Sequence, residues 1–246
     1  MPSYRSLAIL GLTTLLVACQ SPVLQQQTTP LSAQRILDEQ RPEGCQGDRC
    51  PLVNVDTFVF ATEPALNALI DERLRRMTQH GPDDAVPVSL DAYRQRFLSN
   101  AEPGWSTYLQ AKPRDQHGDL VVIELSSYLY QGGAHGMPGR GFINYDLERN
   151  RAVTLEDALL PGQEAAFWGL AEEAHQAWLE GNVPEEDADF ADNWPFQRTD
   201  HIAFLKDSVL LKYDVYSLGP YSMGHPELSI PYSKLDGVLK PDYLPR

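Results

Sequence analysis

The sequence predicts an α+β protein with mainly antiparallel strands, and three observations carry that prediction. Apolar residues alternate at period two in several short stretches, as in half-buried strands. In other stretches they recur every three or four residues, as on the buried stripe of a helix. The two patterns come in runs rather than in strict alternation, which argues against a doubly wound parallel sheet.

In chain order, the folded region opens with "LVNVDTFVF", where Val53, Val55, Thr57 and Val59 alternate as in a strand. A helix is expected next, with Thr62 as its cap, Pro64 in its first turn and Gly81 at its end; Leu66, Leu69, Ile70, Leu74 and Met77 form its apolar face. A shorter helix starts at Ser89 and places Leu90, Tyr93, Phe97 and Leu98 on one side. Three strands follow, "WSTYLQAKP", "DLVVIELSSYLY" and "GRGFINYDLE", and then a helical turn capped by Thr154. The most regular helix is "QEAAFWGLAEEAHQAWLEG", with Phe167, Leu170, Ala171, Ala174 and Trp178 on one stripe. After the acidic loop "NVPEEDADFADNWPFQ" come the strands "HIAFLK", "SVLLKYDVYSL" and "PELSIPY", and a short helix in "SKLDGVL".

Residues 1–18 have a basic start (Arg5) and an apolar stretch shorter than the roughly 20 residues that span a bilayer, as in a secretory leader. "LVAC" resembles a bacterial lipobox, which makes Cys19 the lipidated first residue of the mature chain. Gln20 follows it where an inner-membrane retention aspartate often stands. The implied location is the outer membrane, facing the periplasm. Residues 19–51 are rich in Gln, Thr, Ser and Pro and read as a flexible tether with a reach of about 30 Å. Within it Cys45 and Cys50, in an oxidising compartment, are expected to close a small disulfide loop. Two folded units are expected beyond the tether, residues 52–118 and 119–246.

The formal net charge is −14, and removing a leader with one cation and no acid makes the mature chain more negative still. That charge argues against nucleic acid and anionic lipid as partners and favours cationic ones. The "YQGGAHG" stretch around His135 lacks the lysine of a phosphate loop and the serine of a hydrolase elbow. Its glycines between two strands read as a sharp structural reversal. Asp187, Asp189 and Asp192 miss the glycine and the spacing of a calcium loop. No cofactor and no metal are expected.

Together, "YLYQGGAHG", "NYDLERNRAVTLEDALL" and "LLKYDVYSLGPYSMGHPELSIPYSKL" resemble the RsiV-like C-terminal domain, over roughly residues 120–240. That family includes the lysozyme-binding extracellular part of a membrane anti-sigma factor and an accessory region of peptidoglycan deacetylases. The resemblance implies a non-catalytic envelope protein that binds a lysozyme-like hydrolase or peptidoglycan. Tyr130, His135, Tyr216, Tyr221 and Met223 are the candidate contacts, chosen for loop position and anchor chemistry. There is no sigma-binding segment, and the Asp-His-His motif of a deacetylase is missing. Two rivals are a glycan hydrolase using His135 with Glu124 or Asp146, and a structural lipoprotein of an outer-membrane assembly.

Overall fold

The computed structural model describes residues 31–79, 81, 83–184 and 186–244. The leader and Cys19 lie outside these residues. The fold is α+β: a six-stranded sheet, antiparallel except for one pair, and a three-stranded antiparallel sheet, with helices against both.

The first sheet has the order β1 (Ala33–Gln40), β2 (Leu52–Phe60), β3 (Ser106–His117), β4 (Leu120–Tyr130), β5 (Met137–Asp146) and β6 (Arg151–Ala152). Only β2 and β3 run parallel, so a crossover must join them, and α1 (Pro64–Arg76) and α2 (Leu90–Asn100) supply it. Leu66, Ile70 and Leu74, four residues apart on α1, bury themselves against Val53, Val55, Leu109, Ile123 and Ile143 of the sheet. Ser89 caps α2 by accepting the Ala92 N–H at 3.0 Å. α1 departs from expectation at both ends. Its cap residue is Glu63, without a side-chain bond, and it stops at Arg76, where the Thr78 hydroxyl donates to the Arg75 carbonyl at 2.7 Å.

Beyond β6, α3 (Leu155–Ala158) begins with the expected Thr154, which forms a capping box with Asp157. Then come α4 (Glu164–Asn182), α5 (Phe190–Asn193), β7 (Ile202–Phe204), β8 (Ser208–Lys212) and β9 (Glu227–Pro231). In β7 and β8 alternate residues face opposite ways. Ile202, Phe204, Val209 and Leu211 join Phe167, Trp168 and Ala171 of α4, while Ala203 and Leu210 pack on Val122 of β4. The molecule is therefore layered: helices, six strands, three strands, helix. This explains the unbroken apolar run in β4. Val121 and Ile123 face α1 and Val122 faces the second sheet, so the strand is dry on both sides there. The acidic loop contains α5, and its Phe190 and Phe196 pack inward.

Two expectations about organisation are corrected. Residues 33–40, assigned to a flexible tether, form β1, paired along its whole length with β2. The strand looks like a tether in composition because it is a sheet edge whose side chains are mostly in water. Its order comes from the hydrogen-bond ladder and from Leu31 and Ala33 at the core margin. The Cys45–Cys50 disulfide is present and closes the β1–β2 connection, with Cα atoms 5.8 Å apart. The boundary placed between residues 118 and 119 falls in the turn joining β3 to β4, which pair with each other from Ser106–Tyr130 to His117–Leu120. One sheet spans it.

Candidate functional site

The reversal after β4 is built as its glycines suggest. Gly132 and Gly133 have φ of 95° and 90°, the left-handed region that side chains disfavour. The Tyr130 hydroxyl donates to the Gly133 carbonyl at 3.1 Å, bracing the turn from within. Gly136 ends it, buried. Its N–H donates to the Tyr128 hydroxyl at 3.1 Å, and its carbonyl accepts from the Tyr221 hydroxyl at 3.1 Å and from His135 Nδ1 at 3.2 Å. His135 Nε2 is left to accept from the Tyr216 hydroxyl at 3.2 Å, so a neutral imidazole protonated at Nδ1 satisfies both contacts.

The His135 and Tyr221 rings stack at 3.8 Å and 20°, and Tyr216 flanks both, 6.3 Å from His135 and 5.7 Å from Tyr221. Tyr216 is held at φ 67°, an uncommon conformation for an aromatic residue, and remains 46% exposed. His135 is exposed as well. Three of the five candidate residues thus meet at one surface corner, brought from two loops. Tyr130 belongs to the same hairpin but makes no ring contact with the three. Met223 is half-buried beside Gly219: a Cβ added at Gly219 would meet its Sδ at 2.6 Å and the Phe190 ring at 3.3 Å.

The hydrolase pairing of His135 with Glu124 or Asp146 does not form. Asp146 lies nine residues along β5 from Met137, roughly 30 Å at the rise of a strand, and binds Arg149. Glu124 is six residues before Tyr130, roughly 20 Å away, and its carboxylate is taken by Lys212 at 2.6 Å.

Behind the corner the two sheets meet across a polar seam that sequence reasoning missed. Asp214 accepts the Arg140 backbone N–H and His201 Nε2–H, each at 3.1 Å. His225 Nδ1 donates to the Tyr213 carbonyl at 2.9 Å, and Lys212 binds both Glu124 and Glu227. Among the described residues no group of three or more His, Cys, Asp or Glu side chains is placed to hold a metal ion.

Burial drives several of these groups. It pushes the His117, His175 and His225 imidazoles below their ordinary value, with Arg140 adding to the effect at His225. Burial alone would raise the Asp214 carboxyl, but the hydrogen bond from His201 and the charges of His201 and His225 outweigh it and hold the group low. The three imidazoles therefore bind protons more readily in the unfolded chain. Stability should fall as pH drops below about 6.5, the unfolded value, towards the folded ones. Asp214 adds a further loss below about 4, as pH falls through its depressed value. Tm at pH 5 is expected below Tm at pH 7.5. His175→Leu should narrow that gap, because both His175 ring nitrogens are buried without a hydrogen-bond partner. An unchanged gap would contradict the assignment.

With this geometry in place, comparison with known proteins gives a consistent result. The family model described as "Protein of unknown function (DUF3298)" matches residues 156–233. A crystal structure of a DUF3298 family protein from Pseudomonas aeruginosa PAO1 superposes with a TM-score of 0.84 at 55% identity, covering 89% of this chain and 98% of that one. A DUF3298 member from Bacteroides fragilis NCTC 9343 superposes with a TM-score of 0.64 at 19% identity, covering 86% of this chain and 94% of its own, a likeness of fold. No curated protein matches. At 55% identity over nearly the whole relative, this chain belongs to the DUF3298 family.

Proposed function

We propose that this protein is a lipid-anchored, periplasm-facing outer-membrane protein that breaks no bonds and binds a lysozyme-like cell-wall hydrolase at the His135–Tyr216–Tyr221 corner. The observation that carries the reading is the corner itself, two tyrosines and a histidine gathered at the surface from loops 81 residues apart in sequence. Aromatic anchors held rigid in this way are the residues that dominate binding energy at protein interfaces. The strained Tyr216 backbone fits a position kept for binding rather than for packing. The net charge of −14 complements a basic hydrolase and would speed encounter at low salt. The resemblance to the RsiV-like domain points the same way, and the separation of His135 from Glu124 and Asp146 weighs against the hydrolase reading.

Titration with lysozyme by calorimetry is the direct test. Binding that weakens with salt is expected, and Tyr216→Ala or Tyr221→Ala should reduce affinity by at least about 30-fold, the scale of an interface anchor. Affinity unchanged in both variants, or no binding at all, would overturn the reading. Crosslinking from the periplasmic face to one stoichiometric integral partner would instead favour the structural lipoprotein. Cys19→Ala should release the protein from the membrane fraction.

A further inference from the structure

The second sheet covers only part of the outer face of the first. Val122 is buried beneath it, whereas the ends of β3 and β4 nearer the corner stay open on that side. The strand register there sets two neighbouring rows of side chains on one face. Asn54, Tyr108, Tyr128 and Pro138 form the first; Asp56, Gln110, Ser126 and Arg140 form the second. Between the rows lies a shallow groove of about 170 Å³. The Tyr108 and Tyr128 rings meet edge to face at 6.0 Å and 63°, and Tyr108 is 39% exposed.

The chemistry of this lining narrows what it can hold. No carboxylate lines it, and Asp56, the register neighbour of Gln110, is not available to a cation. Arg35 binds both its oxygens, at 2.6 and 2.9 Å, and Gln110 Nε2 donates to it at 2.7 Å. That last bond turns the Gln110 amide so that its carbonyl oxygen is left as a free acceptor. The Ser126 hydroxyl makes no side-chain hydrogen bond among the described residues, and Arg140 spends only one guanidinium N–H, on the Gly139 carbonyl at 2.8 Å. Glu124 and Asp214 offset the positive charge of Arg140, which makes the groove a poor anion trap. The groove thus offers an aromatic wall, the amide carbonyls of Gln110 and Asn54 as acceptors, and donors on Ser126 and Arg140 at neighbouring register positions, close to neutral overall. It is smaller than the 300 Å³ or more typical of pockets for larger organic ligands.

From this juxtaposition we infer that the groove is a binding site for a neutral sugar residue carrying an acetamido group. The apolar C–H face of a pyranose ring matches the tyrosine wall. An acetamide presents one N–H and one carbonyl, the complement of the Gln110 acceptor and the Ser126 and Arg140 donors. Tyr128 lines the groove and also accepts the Gly136 N–H, so the site adjoins the aromatic corner while using different side chains. The inference does not rest on hydrolase binding at that corner.

Chitotriose, a neutral trimer of N-acetylglucosamine, is a suitable probe, with cellotriose as the control that keeps the rings and lacks the acetamides. Calorimetry and saturation-transfer NMR should show weak saturable binding of chitotriose and at least about tenfold weaker binding of cellotriose. Tyr108→Ala should reduce chitotriose binding by at least about tenfold, and Tyr108→Phe should retain it. Ser126→Leu, which fills the groove from an edge position, should abolish it while leaving lysozyme affinity unchanged, and this separates failure of one site from failure of the other. Absence of saturable binding at about 10 mM chitotriose, including because the chain's own N-terminal segment or a second copy occupies the face, would overturn the inference. Equal binding in the Tyr108→Ala and Ser126→Leu variants would do the same.

Discussion

Replacing Asn144 with alanine is expected to destabilise the protein by about 3–5 kcal/mol, more than any other single polar substitution considered. Asn144 lies on β5, 6% exposed, and its amide behaves as a surrogate peptide group for the free edge of β7. Its Nδ2 donates to the Ile202 carbonyl at 2.8 Å, and its Oδ1 accepts the Phe204 N–H at 2.8 Å. Alanine would leave that buried carbonyl and that buried N–H without partners. Each loss is worth about 1–3 kcal/mol, to which a small cavity adds. Chemical denaturation should show a lower midpoint at an unchanged slope, because the same surface is exposed on unfolding. A change below about 1 kcal/mol would mean that the amide is not the link between the sheets. Asn144→Asp keeps the acceptor for Phe204 but loses the donor and buries a charge, so it should be no milder.

Gly136→Ala is expected to cost about 1–3 kcal/mol and, more tellingly, to dismantle the aromatic corner. A Cβ there would lie 2.4 Å from Cζ and 2.6 Å from the hydroxyl of Tyr128, and 2.7 Å from the Leu129 carbonyl. The carbonyl belongs to the hairpin backbone and cannot yield alone. The chain must shift, and Gly136 is also the residue whose carbonyl holds Tyr221 and whose N–H holds Tyr128. The expected signature is loss of near-ultraviolet dichroism from the tyrosines together with lysozyme affinity reduced at least as far as in Tyr221→Ala. Full affinity with the dichroism lost would detach binding from the corner.

Much of the fold was legible because it follows local rules. The apolar stripes of α1, α2 and α4 and the Ser89 and Thr154 caps are set by residues within a few positions of one another. β1 was not legible, because an edge strand with wet side chains has the composition of a linker. Half of the corner could be read as well. The glycines around His135 announced a reversal, and the tyrosines near Gly219 announced an aromatic loop, but nothing local says that His135 stacks on Tyr221. The seam was hidden for the same reason, since Arg140 reaches Asp214 across 74 residues. Nor does anything local say that the Met223 thioether lies against Gly219.

The sheet that continues across the turn at Gly118 bears on how this protein can be cut and recombined. The stretch matched by the family model, residues 156–233, takes in the second sheet but none of the strands on which Ala203 and Leu210 rest. Produced by itself, it would expose those residues and strip the outer edge of β7 of Asn144. The folding unit is accordingly larger than the matched stretch, and a working excision or fusion must take in β4 and β5.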